Sequence, residues 1–204
     1  MSPQLPQPQP SQDDEEHPQR LALLPAAGVL GALALKPGQR FLDVDAGVGA
    51  YFFPVFEAMR GKGVFLAAHL DEERLRRFLT RLEGYSAHPG YSKVEVVRSK
   101  PDRLPLPEAS ADRVLLQQAF HRLRDPRGWL RELRRVLAPG GLLCLLDWKA
   151  PSTGSGQALE SDLGPPNRVR VPEAQAVHAL QEAGFSLVVS HAGFQQHWCL
   201  TARR

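Results

Sequence analysis

The residues best placed to do chemistry are Gly47 and Gly49, one residue apart, between the apolar run 41–44 and the apolar stretch that begins at Ala50. Strand, small-residue turn and helix in that order form the nucleotide-binding opening of many α/β folds. Glycine lets a backbone bend tightly and come close to a ligand. The helix behind it offers free N–H groups and a partial positive charge. The same pattern also serves as a tight turn with no ligand. Two further residues stand at the ends of short apolar runs. His121 follows the run 113–116, after Gln117-Gln118-Ala119-Phe120, and an imidazole there is placed to act as a general base. The plainer alternative is a polar residue on a pocket rim. Asp147 ends the run 142–146, and its plainer alternative is a turn residue.

Such residues need elements to position them, and the hydrophobic pattern supplies these. Residues 25–35 read as a helix with Leu30, Leu33 and Ala34 inward, broken by Lys36-Pro37-Gly38. A strand follows from residue 40 or 41, then the glycine turn and a helix over 50–60. Gly61-Lys62-Gly63 turns the chain into a second buried strand, 64–68. Leu75, Phe78, Leu79 and Leu82 recur at spacings of three and four, which predicts an amphipathic helix over 72–82. Residues 94–97 and 113–116 read as strands, with Arg103-Leu104-Pro105-Leu106-Pro107 an extended loop between them. Trp129, Leu130, Leu133, Val136 and Leu137 mark a helix closed by Pro139-Gly140-Gly141. A fifth strand over 142–146, a helix over 172–183 stopped by Gly184, and strands over 185–190 and 197–202 complete the chain. This alternation predicts βαβ units and a mostly parallel sheet. The Gly-, Ser- and Pro-rich loop 150–171 is long enough to suggest a functional segment.

Composition sets the frame. At 204 residues, 43% hydrophobic and 23% charged, the chain reads as one soluble globular domain, 21–204, after a tail. The tail, 1–20, is Pro/Gln-rich and acidic with almost nothing to bury, so it is expected to be disordered. It carries a balance of −3 against a net +3, which leaves +6 on the rest, a mild excess that suits a solvated surface. Cys144 and Cys199 lie in apolar runs without metal-ligand or redox spacing, which fits packed, reduced thiols in a cytoplasmic protein. The uncharged run 21–35 is too short to cross a bilayer and is interrupted by Pro25, so neither a membrane span nor an export signal is expected. The histidines are scattered, and no metal site is expected.

The order of motifs resembles a known family. The stretches that carry the likeness are Leu35-Lys36-Pro37-Gly38-Gln39-Arg40-Phe41-Leu42-Asp43-Val44, Asp45-Ala46-Gly47-Val48-Gly49, Leu104-Pro105-Leu106-Pro107, Ala111-Asp112-Arg113-Val114-Leu115 and residues 130–141, which end in Ala138-Pro139-Gly140-Gly141. Together they resemble the class I S-adenosylmethionine-dependent methyltransferases, in the small-molecule branch that includes the ubiquinone and menaquinone C-methyltransferases. The resemblance implies an α/β Rossmann-like fold, a doubly wound seven-stranded sheet that is mostly parallel with an antiparallel C-terminal strand. It implies S-adenosylmethionine as cofactor and a small molecule as methyl acceptor. It places the methionine end of the cofactor at Asp43, Asp45, Ala46, Gly47 and Gly49. The ribose falls at His69 and Leu70, the adenine at Lys100, Pro101 and Asp102, and the segment from Gln117 flanks adenine and methyl. His121 is the expected base.

Three positions depart from the family's pattern. Asp45 stands where the first of three glycines is usual, His69 where an acid accepts from the ribose, and Lys100 where an acid accepts from the adenine. Lysine has no acceptor to offer. Asp71, two residues past His69, could substitute only if its loop shifts. The expected function is therefore methyl transfer to a small molecule. The alternative is a catalytically inactive methyltransferase-like protein that serves as an interaction or regulatory module. A third reading has His69, Arg98, Lys100 and Arg103 accept a phosphorylated nucleotide. No nucleic-acid partner is expected, because Gln117-Gln118-Ala119-Phe120 lacks the Asn/Asp-Pro-Pro-aromatic pattern of base methyltransferases. A homo-oligomer or a protein partner is left open.

Overall fold

The computed structural model describes residues 26–151 and 164–204; the expected tail 1–20 and residues 152–163 of the long loop lie outside the described residues. In chain order the elements are α1 (Ala26–Leu33), β1 (Arg40–Val44), α2 (Phe52–Met59), β2 (Val64–His69), α3 (Glu72–Glu83), β3 (Val94–Arg98), β4 (Ala111–Gln117), α4 (Pro126–Val136), β5 (Leu137–Trp148), α5 (Glu173–Glu182), β6 (Ser186–Ser190) and β7 (His197–Arg203). The strands form one seven-stranded sheet in the order β3-β2-β1-β4-β5-β7-β6. Strands β1 to β5 run parallel, β7 is antiparallel to β5, and β6 is antiparallel to β7. The expected mostly parallel sheet with an antiparallel C-terminal strand is therefore the one observed.

Strands β1, β2 and β4 are covered on both faces, which is why they read as apolar runs without alternation. One face carries Leu42, Val44 and Leu116, clustered with Leu130 and Leu133 of α4 and Leu180 of α5. The other carries an aromatic cluster in which Phe52, Phe53, Phe56, Phe65 and Phe78 interlock. Phe52 meets Phe78 edge-on with ring centroids 5.0 Å apart, and Phe53 stacks on Tyr85 at 4.8 Å. Cys144 and Cys199 are buried on adjacent strands with their Sγ atoms 3.7 Å apart.

Local chemistry fixes the element ends. Asp71 caps α3, its Oδ1 accepting from the Arg74 N–H at 2.8 Å, and Glu72 and Glu73 favour the positive end of the helix. Asp125 caps α4 in the same way through Gly128, with Pro126 at the first position. Arg40 binds Asp112 through two N–H groups, 2.8 and 3.2 Å, which ties the start of β1 to the start of β4. That arginine holds the Asp112 carboxyl below the usual carboxylate range.

Three expectations are corrected. Ala34 is exposed in a left-handed conformation (φ 44°) just past the end of α1, whose inward residues are Val29, Ala32 and Leu33. Leu79 is exposed and Leu75 half-buried, because the residues that α3 buries are Phe78 and Leu82. Pro139-Gly140-Gly141 does follow α4, but strand β5 already begins at Leu137. The three residues bulge out of it, so the register with β4 jumps from Ala111↔Leu137 to Arg113↔Leu142.

Candidate functional site

The order of strands reverses at β1, with β2 on one side and β4 on the other. Ligands of open α/β sheets bind at such a point, outside the C-terminal ends of the strands. A cavity of about 320 Å³ lies there. Val44, Leu70, Leu116, Ala119, Leu123 and Trp129 give it apolar walls, and Asp45, Asp71, Arg74 and Arg122 give it charge. Its size sits at the lower end of the ~300–1,000 Å³ usual for small-molecule sites.

The turn after β1 explains its own sequence. Asp45, Gly47 and Gly49 all have positive φ, 56°, 58° and 82°. A Cβ on Gly49 would fall 2.3 Å from the Phe53 ring and 3.2 Å from Phe78, so only glycine fits between the turn and the aromatic cluster. Asp45 holds the left-handed conformation as a non-glycine residue, at some cost. Its carboxylate lies 2.8 Å from Nη2 of Arg122 and 3.9 Å from Nη1 of Arg74. One ion cluster thus joins the ends of β1 and β4 to the first turn of α3.

The end of β2 departs from what the resemblance implies. His69 is buried with its ring on Phe78, centroids 4.7 Å apart, and neither ring nitrogen has a hydrogen-bond partner among the described residues. Burial lowers its pKa from 6.5 to about 4, with Asp45 opposing the shift and Arg74 adding to it. The imidazole is therefore neutral near neutral pH. The residue that enters the cavity is Asp71, which spends Oδ1 on the helix cap. After β3, Lys100 and Asp102 are exposed, and the Lys100 N–H donates to the Arg103 carbonyl at 2.9 Å. The Pro101 carbonyl accepts from Nε1 of Trp129 at 2.7 Å and so fixes a wall of the cavity.

The end of β4 meets the end of β5. Gln117 is buried, Gln118 has φ 49° and its Nε2 lies 3.1 Å from Nε2 of His197. A 3-10 turn over Phe120–Arg122 then carries His121 over β5. The His121 Nδ1 lies 2.8 and 3.1 Å from the two Asp147 carboxylate oxygens. The backbone N–H groups of His121 and Trp148 donate to the same carboxylate at 2.9 and 2.7 Å. The Asp147 side chain is 1% exposed and that of His121 8%. A carboxylate accepts from Nδ1–H, so the neutral ring carries its lone pair on Nε2, ready to take a proton.

Of the positions singled out in the sequence, Asp45 and Leu70 line the cavity; Asp43, Ala46, Gly47, Gly49, His69, Lys100, Pro101, Asp102 and Gln117 are not among its lining residues. His121 is not among them either; it shares a turn with Arg122, which does line the cavity. Sequence reasoning did not single out Arg74, Arg122 or Trp129 as site residues. The only local signal was their place just after a strand end or in the first turn of a helix. Set against S-adenosylmethionine, the cavity offers apolar walls for an adenosine, an acid in Asp71 for a sugar hydroxyl, and opposite charges for an amino-acid end. It offers no acid at positions 69 and 100. The fit is thus met by other residues than the expected ones.

Comparison with known proteins agrees with this geometry. A family model described as a methyltransferase domain matches residues 42–145, half of the chain. A sterol 24-C-methyltransferase of Gibberella zeae is 27% identical over 165 residues, 76% of this chain and 42% of its own length. A ubiquinone/menaquinone biosynthesis C-methyltransferase of Shewanella oneidensis is 27% identical over 116 residues, 57% of this chain and 45% of its own. The chain therefore spans less than half the length of these curated relatives. The crystal structure of an S-adenosylmethionine-dependent methyltransferase from Aquifex aeolicus matches with a TM-score of 0.80 and 26% identity, covering 94% of this chain and 96% of that one. The [4+2]-cyclase SpnF shares the fold alone, at 18% identity and a TM-score of 0.68 over 95% of this chain and 85% of its own. The chain belongs to the class I S-adenosylmethionine-dependent methyltransferase family.

Proposed function

We propose that this chain transfers a methyl group from S-adenosylmethionine to a small molecule, with His121 as general base. The observation that carries this reading is the His121–Asp147 pair beside a cavity at the switch point of the sheet. Bound S-adenosylmethionine supplies a methyl group on a positively charged sulfur, open to displacement. The chain's part is to hold donor and acceptor in line and to receive the proton that the acceptor loses. Asp147 fixes the His121 ring in the tautomer with a free Nε2 lone pair and balances the charge formed when that nitrogen is protonated. The names of the curated relatives support carbon as the accepting atom. Asp71 is the acceptor for a ribose hydroxyl in place of His69.

Calorimetric titration of S-adenosylhomocysteine into the purified chain tests the reading. Micromolar binding is expected, weakened about tenfold or more in Asp71→Asn, the loss of one hydrogen bond to a charged group. A second reading, an interaction module that no longer binds the cofactor, is favoured by the buried neutral His69 and by Lys100. It requires that wild type fail to bind and that His69→Asp/Lys100→Asp regain binding.

A further inference from the structure

We infer that a second cavity, between the start of α4 and one face of α5, is a binding site for a small organic anion: an apolar, ring-sized body that carries a single negative group. The inference does not depend on the cofactor reading above.

The cavity measures about 320 Å³, as large as the one at the switch point. That volume is at the lower end of the ~300–1,000 Å³ usual for small-molecule sites. One stretch of chain separates the two. Ala119, Arg122 and Leu123 line the first, and Phe120, Arg124 and Asp125 line the second. An occupant of the second cavity therefore lies against the same turn that carries His121.

Its apolar surface is preformed. Phe120 is buried, and Val171 and Ala179 are half-buried against the core. The Trp198 ring meets Phe120 edge-on, centroids 6.1 Å apart, and its Nε1 donates to the Val171 carbonyl at 2.9 Å. One buried indole, not itself a lining residue, thus fixes two of the walls. Walls held in this way lose little freedom when a ligand arrives.

The charges around that surface select the ligand's sign. Asp125 spends Oδ1 on the Gly128 N–H at 2.9 Å, where it caps α4. Glu182 is shared between Arg127 at 2.9 Å and His178 at 3.4 Å. Arg124 is exposed and, alone of the charged lining residues, has no hydrogen bond or ion pair among the described residues. The unspent charge is thus one guanidinium, whose N–H donors suit the oxygens of a carboxylate or sulfonate. An uncharged body would leave it unused, and a phosphate dianion would call for a second free cation.

The test uses two fluorescent probes that differ in one group. 1-Anilinonaphthalene-8-sulfonate has an aromatic body and one sulfonate; N-phenyl-1-naphthylamine has the same body without it. Each is titrated into the full chain as wild type, Arg124→Gln and Ala179→Phe, with and without S-adenosylhomocysteine. Thermal melts confirm that each variant is folded. Wild type is expected to bind both probes saturably, with S-adenosylhomocysteine displacing neither. Arg124→Gln is expected to weaken the sulfonate about fivefold and leave the amine as in wild type. Ala179→Phe fills the cavity and is expected to weaken both about tenfold or more. No saturable binding by wild type overturns the site. So does displacement by S-adenosylhomocysteine, which would put the probes in the first cavity, or undiminished binding by Ala179→Phe. An unchanged sulfonate affinity in Arg124→Gln overturns the anion. Arg124 is exposed, so that variant decides the matter even if Ala179→Phe does not fold.

Discussion

Two histidines stand at strand ends on the same edge of the sheet, and their surroundings are opposite. His69, at the end of β2, lies against Phe78, and its ring nitrogens have no hydrogen-bond partner among the described residues. His121, just past β4, has Nδ1 held by a buried carboxylate and its backbone N–H on the same group. His69 stands where the family pattern has a ligand-binding acid, yet it has become a packing piece of the aromatic cluster. His121 has a partner that fixes the orientation of its ring, which the base role proposed for it requires. Position in a strand marks a residue as close to the site. The neighbours that meet its polar atoms decide what it can do there.

The contrast can be broken at either histidine. His121→Ala should show the largest effect, a fall in kcat of about 10²–10⁴ with S-adenosylhomocysteine affinity unchanged. An unchanged rate in a methyl-transfer assay would remove the base role. On the other side, Phe78→Ala deletes the ring on which His69 packs, and with it part of the support of the glycine turn. It should cost about 3–5 kcal/mol in urea denaturation, as expected for a fully buried phenylalanine. A loss below 1 kcal/mol, against that ~3–5 kcal/mol range, would mean that the cluster does not carry this corner.

The smallest effect is in acid. The folded pKa of His69 is about 4 against an ordinary 6.5. Above pH 6.5 the ring is neutral in both states and adds no pH dependence. As pH falls from 6.5 to 4 the unfolded state takes up the proton first, so stability declines over that window and levels off below it. At about 1.4 kcal/mol per pKa unit the loss amounts to about 3 kcal/mol. His69→Phe, which has no such proton to take up, should lose correspondingly less over the same range. Equal declines in the two proteins would show that the imidazole is not shielded as described.

The scaffold was largely legible in the sequence because strands buried on both faces leave continuous apolar runs, as at β1 and β2, and because Lys36-Pro37-Gly38 and Gly184 punctuate the helices. The width of a helix's buried face was not. Leu79 obeys the helical period, but nothing in the sequence says that the residues α3 buries are Phe78 and Leu82. At the site, Asp45, His121 and Asp147 were visible singly as polar residues at strand ends. Their partners were not, since Asp45 and Arg122 are 77 positions apart and His121 and Asp147 are 26 apart. The order of the parallel strands brings these pairs together. Asp71 was discounted because a one-dimensional alignment puts His69 at the ribose position. The fold turns that ring toward Phe78 and leaves the helix cap facing the cavity.

The Trp129 indole has a consequence for observation. It forms part of the cavity wall and is held at Nε1 by Pro101, whereas Trp148 and Trp198 are buried away from the cavity. The chain has three tryptophans, so one fluorophore stands at the ligand space and the other two report the β5–β7 side of the core. The protein thus carries an intrinsic optical reporter of occupancy. With Trp148 and Trp198 replaced by phenylalanine, the emission of the remaining indole would follow the filling of the site in real time, with no label and no knowledge of the methyl acceptor.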